Sequence, residues 1–369
     1  MAKKFSLNRR RKVLHIATAL SWRGGEQQLA YLVMELQAEV DQIVLCSRGS
    51  EMEKFCQKNS IDHEVLAKRG GFDLAYAFKI KRLCKKLEVD LCHMHDAHAH
   101  TFAILAAVMG NKTPLVLSRR VDFPIKQKFT SKFKYNHPAI KKILCVSEAI
   151  KEITAPDIQD KSKLHTVYSG IDLSKFKVSS GKLRKELEID EETPLVGNTS
   201  ALADHKDYFT FLDAAEIVVK KKPEVQFVIM GDGPMADEIK AYARQKRLNN
   251  NLAFTGYRTD IPEVLADLDV FLISSKTEGL GTSILDAFAC QVPVVATKAG
   301  GIPELVEDQK TGLLCEVKDS TELASAVLKL FNDKSLAEQL KEGAFQKVQQ
   351  FSKAETAKQT LRHYQDVWS

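Results

Sequence analysis

Residues 275–289 read Ser-Lys-Thr-Glu-Gly-Leu-Gly-Thr-Ser-Ile-Leu-Asp-Ala-Phe-Ala, with two carboxylates, Glu278 and Asp286, eight positions apart across a glycine-bracketed turn. An apolar strand precedes the turn and a helix begins near Thr282. The amide groups of Leu280, Gly281 and Thr282 are therefore free to receive an anion. A carboxylate on that helix can accept hydrogen bonds from a ribose diol, as acidic residues do in dinucleotide folds. The plain alternative is a solvated loop glutamate and a helical aspartate beside an ordinary helix start.

Other positions carry weaker signals. Gly24 and Gly25 follow an apolar strand and precede a helix, where a bare backbone lets a phosphate or sugar approach closely. Gly231-Asp232-Gly233 also follows a strand; it is not GxGxxG, which argues against a nicotinamide dinucleotide site. The run HMHDAHAH holds His93, His95, His98 and His100, but no cysteine or acid cluster accompanies them as zinc would require. No metal is expected there; His95 or Asp96 is expected to face an acceptor. Asp267-Leu268-Asp269 resembles a metal-binding DxD, yet it precedes a strand rather than ending one, which makes it structural. Residues 119–142 carry eight Lys and Arg against one acid, interleaved with Phe123, Phe129, Phe133 and Tyr135. Such a stretch suits an anionic membrane surface or nucleic acid, or else a solvated basic face over core phenylalanines.

Short apolar runs alternating with amphipathic stretches must position these residues. Strands are expected at 13–18, 42–46, 90–94, 115–117 and 143–146, then at 195–199, 226–230, 252–255, 270–274 and 292–296. Helical patterns lie between them, with one long pattern over 320–349. Strand–helix alternation implies right-handed βαβ units and parallel sheets, an α/β chain. Two such sets, joined by the stretch 168–193, imply two Rossmann-like domains facing each other. The ligand is expected in the cleft between them, beyond the carboxyl ends of the strands.

The 369 residues are enough for two cores, and 44% hydrophobic with 28% charged residues excludes a mainly disordered chain. No run reaches the length of a membrane span, and the basic N-terminus does not read as a signal peptide. Seven scattered cysteines without a CxxC pair fit reduced thiols, so a cytoplasmic setting is expected, with contact at the inner membrane face. Residues 1–170 hold 29 Lys and Arg against 17 acids, while the remainder is net acidic. The basic half points to an anionic partner.

Several motifs together resemble one family. The loop 275–289 is similar to the E-x7-E motif of the retaining family 4 glycosyltransferases, which have the GT-B fold. FVIMGDGP (227–234), FTGYRTDIP (254–262), QVPVVATKAGGIPEL (291–305) and VYSGIDLSKF (167–176) resemble further family segments, densely over 190–315 and more loosely over 1–170. The resemblance implies an N-terminal acceptor domain (1–170), a C-terminal nucleotide-sugar domain (171–350) and a terminal helix (351–369) that crosses back to the first. It implies that Glu278 meets donor hydroxyls and that Lys206 is the phosphate-binding lysine. It also places Gly24, Gly25, Gly231, Asp232 and Gly233 around the donor. The family's companion arginine falls on Ser200 or Ala201, so Arg258 or Arg120 is expected to supply the second cation. Arg120 also stands near the position of the family's histidine, with Arg119 beside it on the acceptor side. Asp286 stands where the family pattern usually has glutamate.

The reading is a metal-independent, retaining transfer of a sugar from a nucleoside diphosphate to a glycan or lipid-linked hydroxyl, with no cofactor and no nucleic acid. Alternatives are a nucleotide-sugar epimerase on the same fold and a non-enzymatic binder of an anionic polymer.

Overall fold

The computed structural model describes residues 9–68, 70–176 and 181–369. Residues 1–8 of the basic N-terminal stretch and 177–180 of the expected linker lie outside the described residues. The chain forms two compact units, one of residues up to Ser169 with Lys353–Ser369, the other of Gly170–Ser352.

The first unit is built on β1 (Lys12–Ala17), β2 (Asp41–Ser47), β3 (His63–Leu66), β4 (Leu91–Met94), β5 (Leu115–Arg119), β6 (Ile140–Cys145) and β7 (Leu164–Thr166). Their order is β3-β2-β1-β4-β5-β6-β7, and every pairing is parallel. The second unit has β8 (Leu195–Thr199), β9 (Gln226–Met230), β10 (Leu252–Gly256), β11 (Val270–Ile273), β12 (Val294–Thr297) and β13 (Leu313–Cys315). Its order is β10-β9-β8-β11-β12-β13, again all parallel. Each sheet is doubly wound, with the two windings parting at β1/β4 and at β8/β11.

Parallel strands covered on both faces must be largely apolar on both, and the central strands are, apart from His15 of β1, His93 of β4 and Asn198 of β8. All four residues of β4, of β11 and of β12 are buried. Phe211, Phe227, Leu272, Val295, Leu323 and Val327 anchor the core of the second unit. In the first, Tyr364 of the helix Lys353–Trp368 is fully buried among Val13, Leu32, Leu91 and Val116. That C-terminal helix is thus part of the first unit's core.

Three strands escape the sequence reading, β3, β7 and β13. Two of them have only three residues, all three stand at sheet edges, and none offers the continuous apolar run of a central strand. The pattern expected as one helix over 320–349 is two, Ser320–Asn332 and Lys334–Val348. Asp333 breaks it, because its carboxylate accepts the Leu336 N–H at 2.9 Å and starts the second helix. All seven cysteines are free thiols.

Candidate functional site

In the second unit, two loops leaving the switch point are tied together. After β8 a 3-10 turn, Asp204–Lys206, ends on Asp207 in a left-handed conformation, φ 48°. Ser274, just past β11, donates its hydroxyl to the carbonyls of Lys206 (3.1 Å) and Asp207 (3.0 Å). The Lys276 N–H donates to the His205 carbonyl at 2.8 Å. This zipper sets Lys206 Nζ 2.5 Å from Glu278 Oε1, which also accepts from the Ser275 hydroxyl at 2.7 Å. Both charged side chains are largely buried, at 15% and 8% exposure. Thr297 of β12 donates to the Ser275 carbonyl at 2.7 Å and braces the same loop.

Glycine fixes the Glu278 backbone from behind. Gly300 has φ 52°, and a Cβ there would lie 2.1 Å from the Glu278 carbonyl oxygen. Gly281, at φ 88°, begins the helix Thr282–Ala289, with Leu280 buried beside it. Asp286 lies half-buried on that helix, and burial pushes its carboxyl up to about 7, with Lys175 pulling the other way.

The remaining sequence candidates of this unit have contacts within the fold. Arg258, expected with Arg120 as one of two alternatives for the second cation, grips both Asp260 oxygens at 2.8 and 2.9 Å and Glu186 at 2.7 and 2.9 Å. Gly231 and Gly233 are required by the fold. A Cβ at either would meet the Ser200 or Leu202 backbone at 2.0 or 2.4 Å, because the loop after β8 crosses them. Asp232 is exposed and accepts its neighbour's Gly233 N–H at 2.7 Å. Asp267 accepts the Gly181 and Leu183 N–H groups at 2.9 and 2.7 Å, and Asp269 takes Arg184 at 2.7 Å, so this DxD pair organises the neighbouring helix start.

The switch point of the first unit carries histidines. Pairing of β1 with β4 sets His15 beside His93, and His95 follows two residues on. One ring nitrogen from each of the three lies within 4.8 Å of those of the other two. Their tautomers follow from the ends of the chain of hydrogen bonds. Gln42 Nε2 donates to the Val33 carbonyl at 2.9 Å, which leaves Oε1 to accept from His15 Nε2 at 3.1 Å. His15 Nδ1 then accepts from His95 Nε2 at 3.1 Å, and His95 Nδ1 is left as a bare, unpartnered acceptor. His93 is held by the Tyr364 hydroxyl at 2.6 Å and by Ser118 at 2.9 Å. Burial keeps all three neutral, with His15 down to about 4 and the other two well below their ordinary value. His15 was invisible in the sequence as a lone histidine in an apolar strand; only the strand register brings it in.

Two residues expected on the acceptor side are already engaged within the fold. Asp96 caps the helix Ala97–Val108, accepting the His98 and Ala99 N–H groups at 2.9 Å each and both donors of Thr18. Its oxygens are used by the fold. Arg119 is buried, donating to Thr154 at 2.7 Å, to the Tyr135 hydroxyl at 2.7 Å and to the Phe123 carbonyl. Arg120 differs: its Nε and Nη1 are buried and have no partner. Gly24 and Gly25 open the helix Gly24–Glu35, and a Cβ at either would meet nothing within 4 Å. No packing demands glycine there.

The basic–aromatic stretch forms the helix Phe129–Asn136, which buries none of its residues. Phe129 and Phe133 are 83% and 46% exposed, with ring centroids 6.4 Å apart, and Phe123 is 53% exposed. These are surface, not core, phenylalanines. Lys134 turns inward to Thr101 at 3.1 Å, while Lys126, Lys128 and Lys132 stay exposed. Among the described residues no helix is long and apolar enough to cross a membrane.

The sequence model of the family described as "Glycosyl transferases group 1" matches residues 179–347, and that of "Glycosyltransferase Family 4" matches residues 22–175. The chain is 27% identical over 304 residues, 80% of each protein, to N-acetyl-alpha-D-glucosaminyl L-malate synthase of Bacillus anthracis. It is 25% identical over 279 residues, 72% of each, to UDP-Gal:alpha-D-GlcNAc-diphosphoundecaprenol alpha-1,3-galactosyltransferase of Escherichia coli. Among solved structures, Anabaena HepE in complex with UDP-glucose superposes with a TM-score of 0.86 at 22% identity, covering 96% of this chain and 99% of that one. With its two units matched in turn by the two halves of one family and its doubly wound sheets matching solved GT-B enzymes, the chain belongs to the family 4 glycosyltransferases of group 1.

Proposed function

We propose that the protein is a retaining, metal-independent glycosyltransferase whose second unit holds a nucleoside-diphosphate sugar through Lys206 and Glu278. A uridine nucleotide is the first choice, because the Escherichia coli relative is named for UDP-Gal and the Anabaena structure contains UDP-glucose. The observation that carries the reading is the Lys206–Glu278 pair, buried beside the N-terminus of the helix Thr282–Ala289. Sugar transfer builds oxocarbenium character on the ring and negative charge on the leaving diphosphate. A lysine and free helix-start amides supply fixed positive charge where that negative charge grows, with no need for a divalent ion. On donor binding Lys206 turns to the phosphate and Glu278 is released to the sugar hydroxyls. Asp286 is assigned to the ribose, with the amides of Leu280, Gly281 and Thr282 toward phosphate.

The first unit takes the acceptor, a glycan or lipid-linked hydroxyl, as the diphosphoundecaprenol named for the Escherichia coli relative suggests. Its exposed Phe123, Phe129 and Phe133 among Lys126, Lys128 and Lys132 suit the cytoplasmic face of an anionic membrane. Gly24 and Gly25, glycines that no packing requires, are assigned to close approach of a donor phosphate oxygen. The test is a panel of UDP-, GDP- and ADP-sugars assayed with chelator present. Transfer with the anomeric configuration of the donor kept is expected; inversion, or activity only with Mn²⁺ or Mg²⁺, would overturn the reading.

A further inference from the structure

His95 stands directly after β4, at the carboxyl end of the sheet where the two windings of the first unit part. It is 8% exposed, and its Nδ1 is buried with no partner. The other ring nitrogens of the histidine cluster are all held. His15 lies between Gln42 and His95 Nε2, at 3.1 Å from each, and His93 lies between Tyr364 and Ser118, at 2.6 and 2.9 Å. A single acceptor is left over.

The direction of the chain is set at its far end, by Gln42. Its Nε2–H is spent on the Val33 carbonyl at 2.9 Å, so its Oε1 can only accept. His15 must then carry its proton on Nε2, and His95 must donate from Nε2 to His15 Nδ1. A neutral imidazole has one ring proton, so His95 Nδ1 is an acceptor and nothing else. Burial keeps both rings neutral and so keeps this order of donors intact. Nearby donors are taken or out of reach. The Tyr364 and Ser118 hydroxyls sit on His93, Thr18 donates to Asp96 at 2.8 Å, and Arg120 Nε and Nη1 make no bond to His95.

A buried lone pair without a donor is costly until a ligand brings it an O–H or N–H. An ionised carboxylate, a phosphate dianion or a carbonyl cannot do so, whereas a neutral hydroxyl can. We infer that His95 Nδ1 takes a hydrogen bond from the acceptor's hydroxyl, and that Gln42 and His15 are positioning residues that hold His95 in the tautomer able to take it. The word acceptor rests on the glycosyltransfer reading above; the tautomer does not.

Nitrogen NMR of the full chain labelled with ¹⁵N-histidine tests it, each signal being assigned by its loss in a single His→Gln variant. In wild type at neutral pH, His15 and His95 should both be protonated at Nε2 and bare at Nδ1. Gln42→Leu should let both rings mix tautomers. Glycerol, a small polyol, should shift the His95 Nδ1 signal toward the hydrogen-bonded position, and dimethyl sulfoxide, which accepts but cannot donate, should not. The second arm is transfer to glycerol from the UDP-sugar that wild type accepts. His95→Gln can still donate to His15 but offers no acceptor at the δ position, whereas His95→Asn puts an oxygen there. KM for glycerol should rise about tenfold in His95→Gln, roughly one hydrogen bond, with UDP affinity unchanged, and His95→Asn should recover most of it. If wild type accepts no UDP-sugar, the glycosyltransfer reading fails while the NMR arm still decides the tautomer and the hydroxyl contact. The inference is overturned if His95 carries its proton on Nδ1, if glycerol moves that signal no more than dimethyl sulfoxide does, or if His95→Gln keeps the wild-type KM for glycerol.

Discussion

The two switch points of this chain have the same topology and opposite electrostatic states. In the second unit, the buried cation Lys206 has its counterion at 2.5 Å, and Ser275 completes the carboxylate. In the first, the buried guanidinium of Arg120 has two nitrogens without a partner, and His95 presents an unpartnered acceptor. A site that satisfies itself keeps its groups aligned but must open its ion pair to take a ligand. A site left unsatisfied gains from any ligand that completes it. Glycines divide the same way: Gly231, Gly233 and Gly300 are demanded by backbone packing, whereas Gly24 and Gly25 face open space.

The largest effect expected from this contrast is at Lys206. Lys206→Ala should lower turnover on the order of 10² to 10³-fold, the loss typical of one preorganised stabiliser. It should also cost about 3–5 kcal/mol of stability in denaturant unfolding, because Glu278 is left buried without its partner. Glu278→Gln should impair transfer with a smaller loss of stability, since a neutral amide can still accept from Lys206. A Lys206→Ala protein that transfers sugar at near-normal rates would break the comparison on its second-unit side.

Gly300→Ala comes next. The new Cβ strikes the Glu278 carbonyl in a left-handed conformation, and about 1–3 kcal/mol of strain is expected from the backbone alone. Gly24→Ala and Gly25→Ala should instead leave unfolding stability unchanged or raised by less than about 1 kcal/mol, while weakening nucleotide binding. Equal stability losses at all three positions would erase the distinction between packing glycines and ligand glycines.

Asp286 sharpens the second-unit side through pH. Its carboxyl is raised to about 7 in the folded state, so the native protein holds a proton that the unfolded chain releases. Stability should therefore fall as pH rises from the ordinary carboxyl range through about 7, and Asp286→Asn should remove that component. Comparison of the two unfolding profiles between pH 4 and 8 is the check. A parallel pair of curves would mean that Asp286 titrates normally.

The smallest effect is at the surface of the first unit. Reversing Lys126, Lys128 and Lys132 to Glu should weaken binding to anionic vesicles, at about 1 kcal/mol per lysine, and leave UDP binding untouched. A wild-type protein that ignores such vesicles at low salt would remove the membrane from the account.

Much of this was legible in the sequence, and the rest was hidden for physical reasons. Central strands announce themselves as apolar runs, and the turn at Gly279 to Gly281 marks the loop that carries Glu278. Edge strands β3 and β7 have no such run and that of β13, Leu-Leu-Cys, is only three residues long, because an edge needs only a few residues of pairing. Residue type alone cannot say who holds a charge. Arg258 and Arg119 looked available, yet each has a partner far along the chain, Glu186 at 72 residues and Thr154 at 35, and Asp96 is engaged both by the helix it caps and by the distant Thr18. Ser274 and Ser275 went unnoticed for the complementary reason that two serines at a strand end are common. Their value lies in the carbonyls and the carboxylate they reach.

The most direct test of the central claim is calorimetric titration of wild type and Lys206→Ala with UDP in the presence of a chelator. The account predicts metal-free binding to wild type, and at least tenfold weaker binding to a Lys206→Ala protein verified to be folded. No binding without a divalent ion, or equal affinity in the two proteins, would contradict it.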